Sequence, residues 1–435
     1  MLDRIHNIQN NDRINKIGVY AFYLAVLIET LIVIVDKSAI INPLEGRLFQ
    51  ITFLLCFIKV LSTKYEWREY IAIFCFCFLG LMMDQMGDHN EFLRMFMFVA
   101  ACKDIDMRKC LKGYFKLICA GTLLIIALSL TGILGSVKVL KEYEDAGFKS
   151  LYAFGMGHPN TFFIMIFVII LLGLYLYEDK LKWWCYPPLL EVTYLLYKLT
   201  EARTPAIMLL GTVVLMFLVK YIEKLRLWMR ERIERDKESA NSNIISKLTH
   251  INYAEGLLKL GSWIGFLVSI AGIELSIYFA SEAWKVYEFN WGRMHWEPDI
   301  ARIVEFDRKL TGRICMLMNF DNRAGSIASW RLFTVPDHTE YMDLGYVRIF
   351  YWYGMIPAIV LLALMAGLVS YLIVTDKYKD VVFILIIAVF TVVEAHFVSV
   401  YIGRCYPVFL LGMYWVDMLR IMFARDERTN IVKGN

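Results

Sequence analysis

Strong charge of either sign is missing from this 435-residue chain, in which 46 Lys and Arg face 42 Asp and Glu for a formal net charge of +4. A surplus that small, spread along the connecting segments, gives nucleic acid nothing to grip and removes it as a partner. Metal-ligand spacing is missing too. Of nine cysteines, Cys56, Cys75, Cys77, Cys102, Cys110, Cys119 and Cys185 lie in or beside apolar stretches, where they read as small apolar filler. Only Cys315 and Cys405 fall in segments assigned below to one side, which leaves them open to a disulfide. The polar start MLDRIHNIQNNDRINK runs into an apolar stretch with no small-residue cleavage site, so it is expected to be a cytoplasmic leader to a first span. No internal repeat is visible, which counts against a transporter built from two similar halves.

What the chain has in excess is apolar surface: 58% apolar residues, 15% aromatics and a mean hydropathy of +0.51. One soluble core does not need that much, and the surplus belongs in lipid. Apolar windows lie near residues 17–35, 48–62, 70–83, 92–102, 114–134, 161–177, 183–199, 206–221, 261–280, 349–374, 381–398 and 407–423. The third and fourth are short, and the fourth carries Arg94, which suits a tilted or partly re-entrant segment. The expected fold is an all-α polytopic membrane protein of about 12 transmembrane helices with one long outer loop. Its parts are an N-terminal bundle over 1–221, a basic cytoplasmic linker over 222–260, a span over 261–280, an outer loop over 281–348, further spans over 349–423 and a tail over 424–435.

Lysine and arginine set the orientation. With both termini inside, the cytoplasmic segments 1–16, 62–69, 103–113, 178–182, 375–380 and 418–435 carry 17 Lys and Arg. The opposite set, 36–47, 84–91, 135–160, 200–205 and 399–406, carries 7, so the positive-inside rule favours this arrangement. The linker alternates basic and acidic residues at helical spacing, as a helix lying on anionic headgroups or a solvated connection would. The outer loop holds Trp284, Trp291, Trp296 and Trp330 with Arg293, Arg302, Arg308, Arg313, Arg323 and Arg331. Tryptophan stacks on sugar faces and arginine forks onto phosphate oxygens, although a loop resting on headgroups uses the same residue types.

Three outward clusters carry possible chemistry. Gly155-Met156-Gly157-His158-Pro159-Asn160-Thr161 precedes one span, with Asn160 or Thr161 as a helix cap. Thr200-Glu201-Ala202-Arg203-Thr204-Pro205 precedes another, with Thr204 as cap and Pro205 as the first helical residue. Both helices aim their positive ends outward, where anions are favoured, and Arg203 adds a cation. The third cluster comprises Leu310-Thr311-Gly312-Arg313, Asp321-Asn322, and His338-Thr339-Glu340-Tyr341-Met342-Asp343-Leu344-Gly345-Tyr346. It joins a cation, carboxylates and one imidazole, a set able to deprotonate a sugar hydroxyl while an anionic leaving group is held. Glu29, Arg94, Glu191, Lys198, Glu274, Glu394, His396 and Asp417 fall inside spans and are expected to face the bundle.

LTEARTPAIMLLG, the LTGR of the loop, GMGHPNTFF, and Asp343-x-x-Tyr346 followed by Tyr353-Gly354-Met355-Ile356 resemble the Wzy-type polysaccharide polymerases of the O-antigen ligase/polymerase superfamily. The resemblance covers roughly residues 92 to 404 and rests on the order and common side of short motifs. It implies a helical bundle like those of the C-type glycosyltransferases, in a bacterial plasma membrane. It further implies a donor glycan on undecaprenyl diphosphate, passed to the hydroxyl of another lipid-linked repeat unit with inversion and without metal or cofactor. Flippase and chain-length regulator proteins are the accompanying partners. By position, Arg203 and Arg313 correspond to the family's diphosphate arginines, with Arg94 as a third. His338 corresponds to the base, with Asp343 or Glu340 as alternatives because a His-Asn pair common in the related ligases is absent; His158, Asn160 and Tyr346 complete the set. The competing expectations are a lipid-linked oligosaccharide flippase and a ligase using another acceptor. A metal-dependent C-type transferase lacks its usual acidic pair, since 36–47 offers only Asp36 and Glu45, and Asp104-Ile-Asp106 lies on the wrong side.

Overall fold

A computed structural model describes residues 12–143, 147–238, 244–295, 297–318, 325–336 and 340–433, with side chains at 233–252 and beyond Met422 outside that description. Among the described residues the chain runs α1 (Asp12–Asp36), α2 (Glu45–Ser62), α3 (Trp67–Gly87), α4 (Asn90–Ala101) and α5 (Met107–Leu130). A hairpin follows, β1 (Lys138–Tyr143) and β2 (Gly147–Tyr152), then α6 (Pro159–Tyr177), α7 (Tyr186–Thr200), α8 (Arg203–Glu238) and α9 (Ile244–Asn290). The outer loop contains α10 (Pro298–Lys309) and the single turn α11 (Arg313–Met316). The chain ends with α12 (Gly345–Tyr353), α13 (Met355–Val374), α14 (Tyr378–Val393) and α15 (Tyr406–Lys433).

Seven of these helices, α1, α3, α5, α6, α8, α9 and α13, are long and apolar enough to cross a membrane. The chain is a helical membrane protein. The other five apolar windows also fold as helices, but α4, α7 and α14 have only 12, 15 and 16 residues. Helix α2 carries Glu45, Arg47 and Lys59 within its 18 residues. The short windows have a physical explanation in α4 and α14. Ten of the twelve α4 residues are buried, as are twelve of the sixteen in α14, so these helices are buried nearly all round and form the centre of the bundle. Helix α4 packs on α2, α3 and α15, and α14 on α6, α8 and α9.

Ion pairs divide the connections into two ends. At one end Lys103 meets Glu69, Lys379 meets Glu178 at 3.0 Å, Lys259 meets Asp376 at 3.5 Å and Arg420 meets Glu66 at 3.4 Å. At the other Arg404 meets Asp36, Lys149 meets Glu201 at 3.0 Å and Arg313 meets Asp343 at 3.4 Å. The first set joins segments assigned above to the cytoplasm, the second joins segments assigned outside, and none of these pairs crosses between sets.

Several expectations need correction. The all-α fold carries one antiparallel hairpin, with Lys138 opposite Tyr152 and Tyr143 opposite Gly147. The 222–260 stretch is no separate surface helix. It is the inner ends of α8 and α9, joined by Arg230 and Glu255 at 3.1 Å, while residues 239–243 lie outside the description. At 47 residues α9 is about 70 Å long, at ~1.5 Å per residue, so it projects past a bilayer core of ~30 Å at both ends. Its far end supplies 281–290, the first ten residues of the expected loop. Cys405 donates to the Phe397 carbonyl at 3.3 Å and Cys315 lies 3.3 Å from Asn290 Nδ2, so these two thiols do not form a disulfide.

Helices α3 and α4 touch backbone to backbone at Gly80, where an added Cβ would sit 2.6 Å from Leu93 Cα. Backbone cannot yield as a flexible side chain can. Gly80→Ala is expected to destabilise the protein by about 1–3 kcal/mol. Gly113→Ala, which meets nothing within 4 Å, should be neutral or gain up to about 1 kcal/mol from helix propensity. Thermal melts of the two variants in detergent decide this: equal melting temperatures would contradict the close crossing.

Candidate functional site

The end expected to face outward holds a cavity of 610 Å³, within the ~300–1,000 Å³ common for ligand sites. Every segment that lines it belongs to the outward set: Asp36 and Lys37; Asp88, His89 and Glu91; Met156 and Thr161; Tyr341 and Trp352; and the stretch from Ser399 to Arg404. Local backbone chemistry places them. Asp88 ends α3 in the left-handed conformation at φ 57°, which Asp tolerates better than bulkier residues, and this turn sends His89 and Glu91 into the interior.

One wall is an unwound stretch between α14 and α15, from Glu394 to Cys405, with short 3-10 turns at Ala395–Phe397 and Ile402–Arg404. Buried backbone outside a helix lacks its usual partners, and in a membrane protein these must come from side chains. Arginines supply them. Arg313 Nη1 donates to the Val393 carbonyl at 2.7 Å, Arg348 Nη1 to Val398 at 2.9 Å, and Arg94 Nη1 to Val400 at 3.0 Å. The C-terminal end of α14 is the negative end of its dipole, which favours the first two cations.

Arg313, Asp343 and Asn160, singled out in distant parts of the sequence, meet at Glu394. The Glu394 carboxylate accepts from Asn160 Nδ2 at 2.9 Å and from Arg313 Nη2 at 2.5 Å, while Arg313 Nε lies 3.4 Å from Asp343. All three guanidinium nitrogens of Arg313 therefore face protein acceptors. His158, not Asn160 or Thr161, caps α6: its Nδ1 accepts from the Asn160 backbone at 3.1 Å, and Pro159 is the first helical residue. Burial and then Lys141 lower the pKa of His158, and Asp343 opposes them.

The remaining expected residues are dispersed. Arg94 is buried beneath the cavity floor, 2.9 Å from Glu29 and with its guanidinium 3.6 Å over the Phe49 ring; Thr52 donates to the same carboxylate at 2.6 Å. Glu340 accepts from the Tyr351 hydroxyl at 2.5 Å and its carbonyl accepts from Trp352 Nε1 at 2.8 Å, beside the cavity. Tyr346 is buried and donates to the Ala388 carbonyl at 2.9 Å. Arg203 is exposed and is itself the first residue of α8, so the helix starts two residues before the expected Pro205. His338, Trp296, Asp321, Asn322 and Arg323 lie outside the described residues.

Lys37, His89, Glu91, Arg348 and Arg404 escaped the sequence reading. Arg404 pairs with Asp36, whose carboxylate also accepts from the Tyr401 hydroxyl at 2.7 Å. Arg348 is fully buried, 3.3 Å under the Tyr341 ring and 4.9 Å from that of Trp352, and among the described residues no carboxylate lies within ion-pair distance of it. Burial lowers the Lys37 pKa, opposed by Tyr341, reinforced by Arg348 and opposed again by Glu394. A signal for Lys37 and Asp36 was present, since they directly follow the last apolar turn of α1; nothing in the local pattern marks Arg348.

Beside the polar cavity lies an apolar cleft of 120 Å³ lined by residues including Tyr346, Tyr353, Leu361, Met365, Ile387 and Val398. The two share chain neighbours: Trp352 and Ser399 line the first, Tyr353 and Val398 the second. The site thus offers aromatic and charged groups next to a hydrocarbon-lined slot. No family model, curated protein or solved structure matches this chain.

The Arg313–Glu394 pair is 12% and 8% exposed on its two sides, so breaking it strands a buried charge. Arg313→Met and Glu394→Leu should each destabilise by about 3–5 kcal/mol, whereas the double variant Arg313→Met, Glu394→Leu should cost clearly less than the sum. Additive losses in a double-mutant cycle of thermal unfolding would contradict the pairing.

Proposed function

We propose that the chain is a polymerase of lipid-linked oligosaccharides, joining repeat units by inverting glycosyl transfer at the outer face of a bacterial plasma membrane. The observation that supports this reading is the juxtaposition of the two cavities. An amphipathic donor, with a glycan on one end and hydrocarbon on the other, needs both surfaces side by side. Tyr341, Tyr401 and Trp352 supply faces for sugar rings, and the mixed lining of Asp36, Lys37, Asp88, Glu91 and Arg404 suits hydroxyl groups better than a single-sign surface would.

In this reading the leaving diphosphate needs its developing charge held more than it needs protonation. Lys37, at the cavity wall and 3.6 Å from Asp36, and exposed Arg203 provide the cations. Arg313 and Arg94 shape the wall, Glu340 and Asp343 lie beside it, and His338, outside the described residues, is the base that the resemblance implies. All twelve apolar helices then contribute to the membrane domain, with both termini in the cytoplasm.

Purified protein in lipid nanodiscs, supplied with undecaprenyl-diphosphate-linked repeat units, should yield a polymer ladder. Lys37→Ala and Arg203→Ala are each expected to slow it about tenfold to a hundredfold, as loss of one charge-assisted contact predicts. Arg313→Ala and His338→Ala should also reduce it. Wild-type protein that makes no ladder but moves the lipid across vesicles would put a flippase in its place; a tag beside Trp330 found in the cytosol would also overturn the reading.

A further inference from the structure

Among the described residues one imidazole lines the cavity. His89 precedes α4, with its Nδ1 2.9 Å from Glu91 Oε1. The ring lies against Trp352, centroids 5.9 Å apart at 28°, and Tyr353 meets it edge-on, also at 5.9 Å. His89 is 7% and Glu91 2% exposed, and His89 Nε2 has no hydrogen-bond partner among the described residues. A purely structural histidine in an interior normally satisfies both nitrogens, so an orphaned one at a cavity wall calls for an explanation.

The other histidines whose side chains are described are placed differently. His295, just past α9, is exposed and does not line the cavity, and His158 uses Nδ1 to cap α6 and is exposed. His396 is buried and does not line the cavity. The charged and titratable groups around His89 are Glu91 on its own helix, Asp88 beside it, Tyr353 from α12, and Asp36, Lys37 and Arg404 across the cavity. Only Glu91 is within hydrogen-bond distance of the ring.

We propose that His89, oriented by Glu91, is the proton acceptor in the cavity, and that its Nε2 takes the proton of the acceptor sugar's hydroxyl. This rests on the glycosyl-transfer reading. A carboxylate at Nδ1 fixes the tautomer that leaves Nε2 as the acceptor and stabilises the imidazolium once formed. In the step, the hydroxyl oxygen bonds to the donor's anomeric carbon while its proton passes to Nε2. The bond from that carbon to the diphosphate oxygen breaks, and its electron pair leaves with the diphosphate. Trp352 then has two tasks: it braces the imidazole and offers a ring edge to the sugar.

The test is single-turnover linkage formation between pH 5 and 9 by protein in nanodiscs with lipid-diphosphate-linked repeat units. His89→Gln should lower the rate about 100-fold or more at saturating donor, with donor affinity changed less than about twofold. Glu91→Gln removes the carboxylate that orients the ring, so the rate should fall about tenfold or more, and Glu91→Asp, which keeps the carboxylate, should restore part of it. A folded glutamine variant of either residue with the wild-type rate overturns the proposal while leaving the polymerase reading in place. Should His89→Gln not fold, diethyl pyrocarbonate on wild type decides: the adduct must map to His89, abolish turnover and be blocked by substrate, or the proposal falls. Wild-type protein that forms no linkage at any pH removes both.

Discussion

An unwound stretch of chain inside a membrane protein must be hydrogen-bonded by something other than itself, and here guanidinium groups do it. Arg94, Arg313 and Arg348 come from α4, α11 and α12, and each donates to a carbonyl between Val393 and Val400. Backbone carbonyls are obligatory acceptors, and leaving several unpaired in a dry interior costs several kcal/mol each. The arginines therefore hold the stretch in place, and the stretch in turn forms a cavity wall. The same bonds tie the outer loop to the bundle, because Arg313 reaches α14 from the loop's short helical turn.

Buried cations need compensation, and the structure compensates them unequally. Arg94 has Glu29, Arg313 has Glu394 and Asp343, and Arg404 has Asp36. Among the described residues Arg348 touches carbonyl oxygens and two aromatic faces, which attract a cation more weakly than a carboxylate does, and Asp343 acts on it from beyond ion-pair distance.

The membrane character, the helices and the assignment of each connection to one end were legible from hydropathy and lysine and arginine placement, because those depend on the solvent alone. Asn160, Arg313 and Asp343 were legible as a group of motifs with a common side, and the fold brings them to Glu394. Their chemistry was not legible. Arg313 and Arg94 read as phosphate ligands because a sequence shows a cation but not the carbonyls it is consumed by. Glu394 read as an intramembrane acid seeking a partner, which it has in Arg313. The hairpin at 138–152 carries a short alternation and a Glu-Asp-Ala-Gly sequence, a signal weaker than that of the neighbouring apolar windows. Helix boundaries at His158 and Arg203 shifted by one or two residues because cap geometry depends on the side chain's actual bond rather than on residue type.

The cavity's composition also bears on which chemistry the site can support. A transporter carrying a lipid diphosphate across the bilayer has to release it on both sides, and deep, fully paired charges at one end work against that. Glu29–Arg94, Glu394–Arg313 and Asp36–Arg404 anchor α1, α4, the outer loop and the unwound stretch to one another, so the outer end behaves as one preorganised block. Preorganised charge is what a transfer reaction uses, since dipoles fixed before the reaction need no rearrangement as charge develops. The rigid arrangement of paired charges around a polar cavity, with a hydrocarbon slot alongside, is accordingly a better match to bond-making at a fixed place than to alternating access.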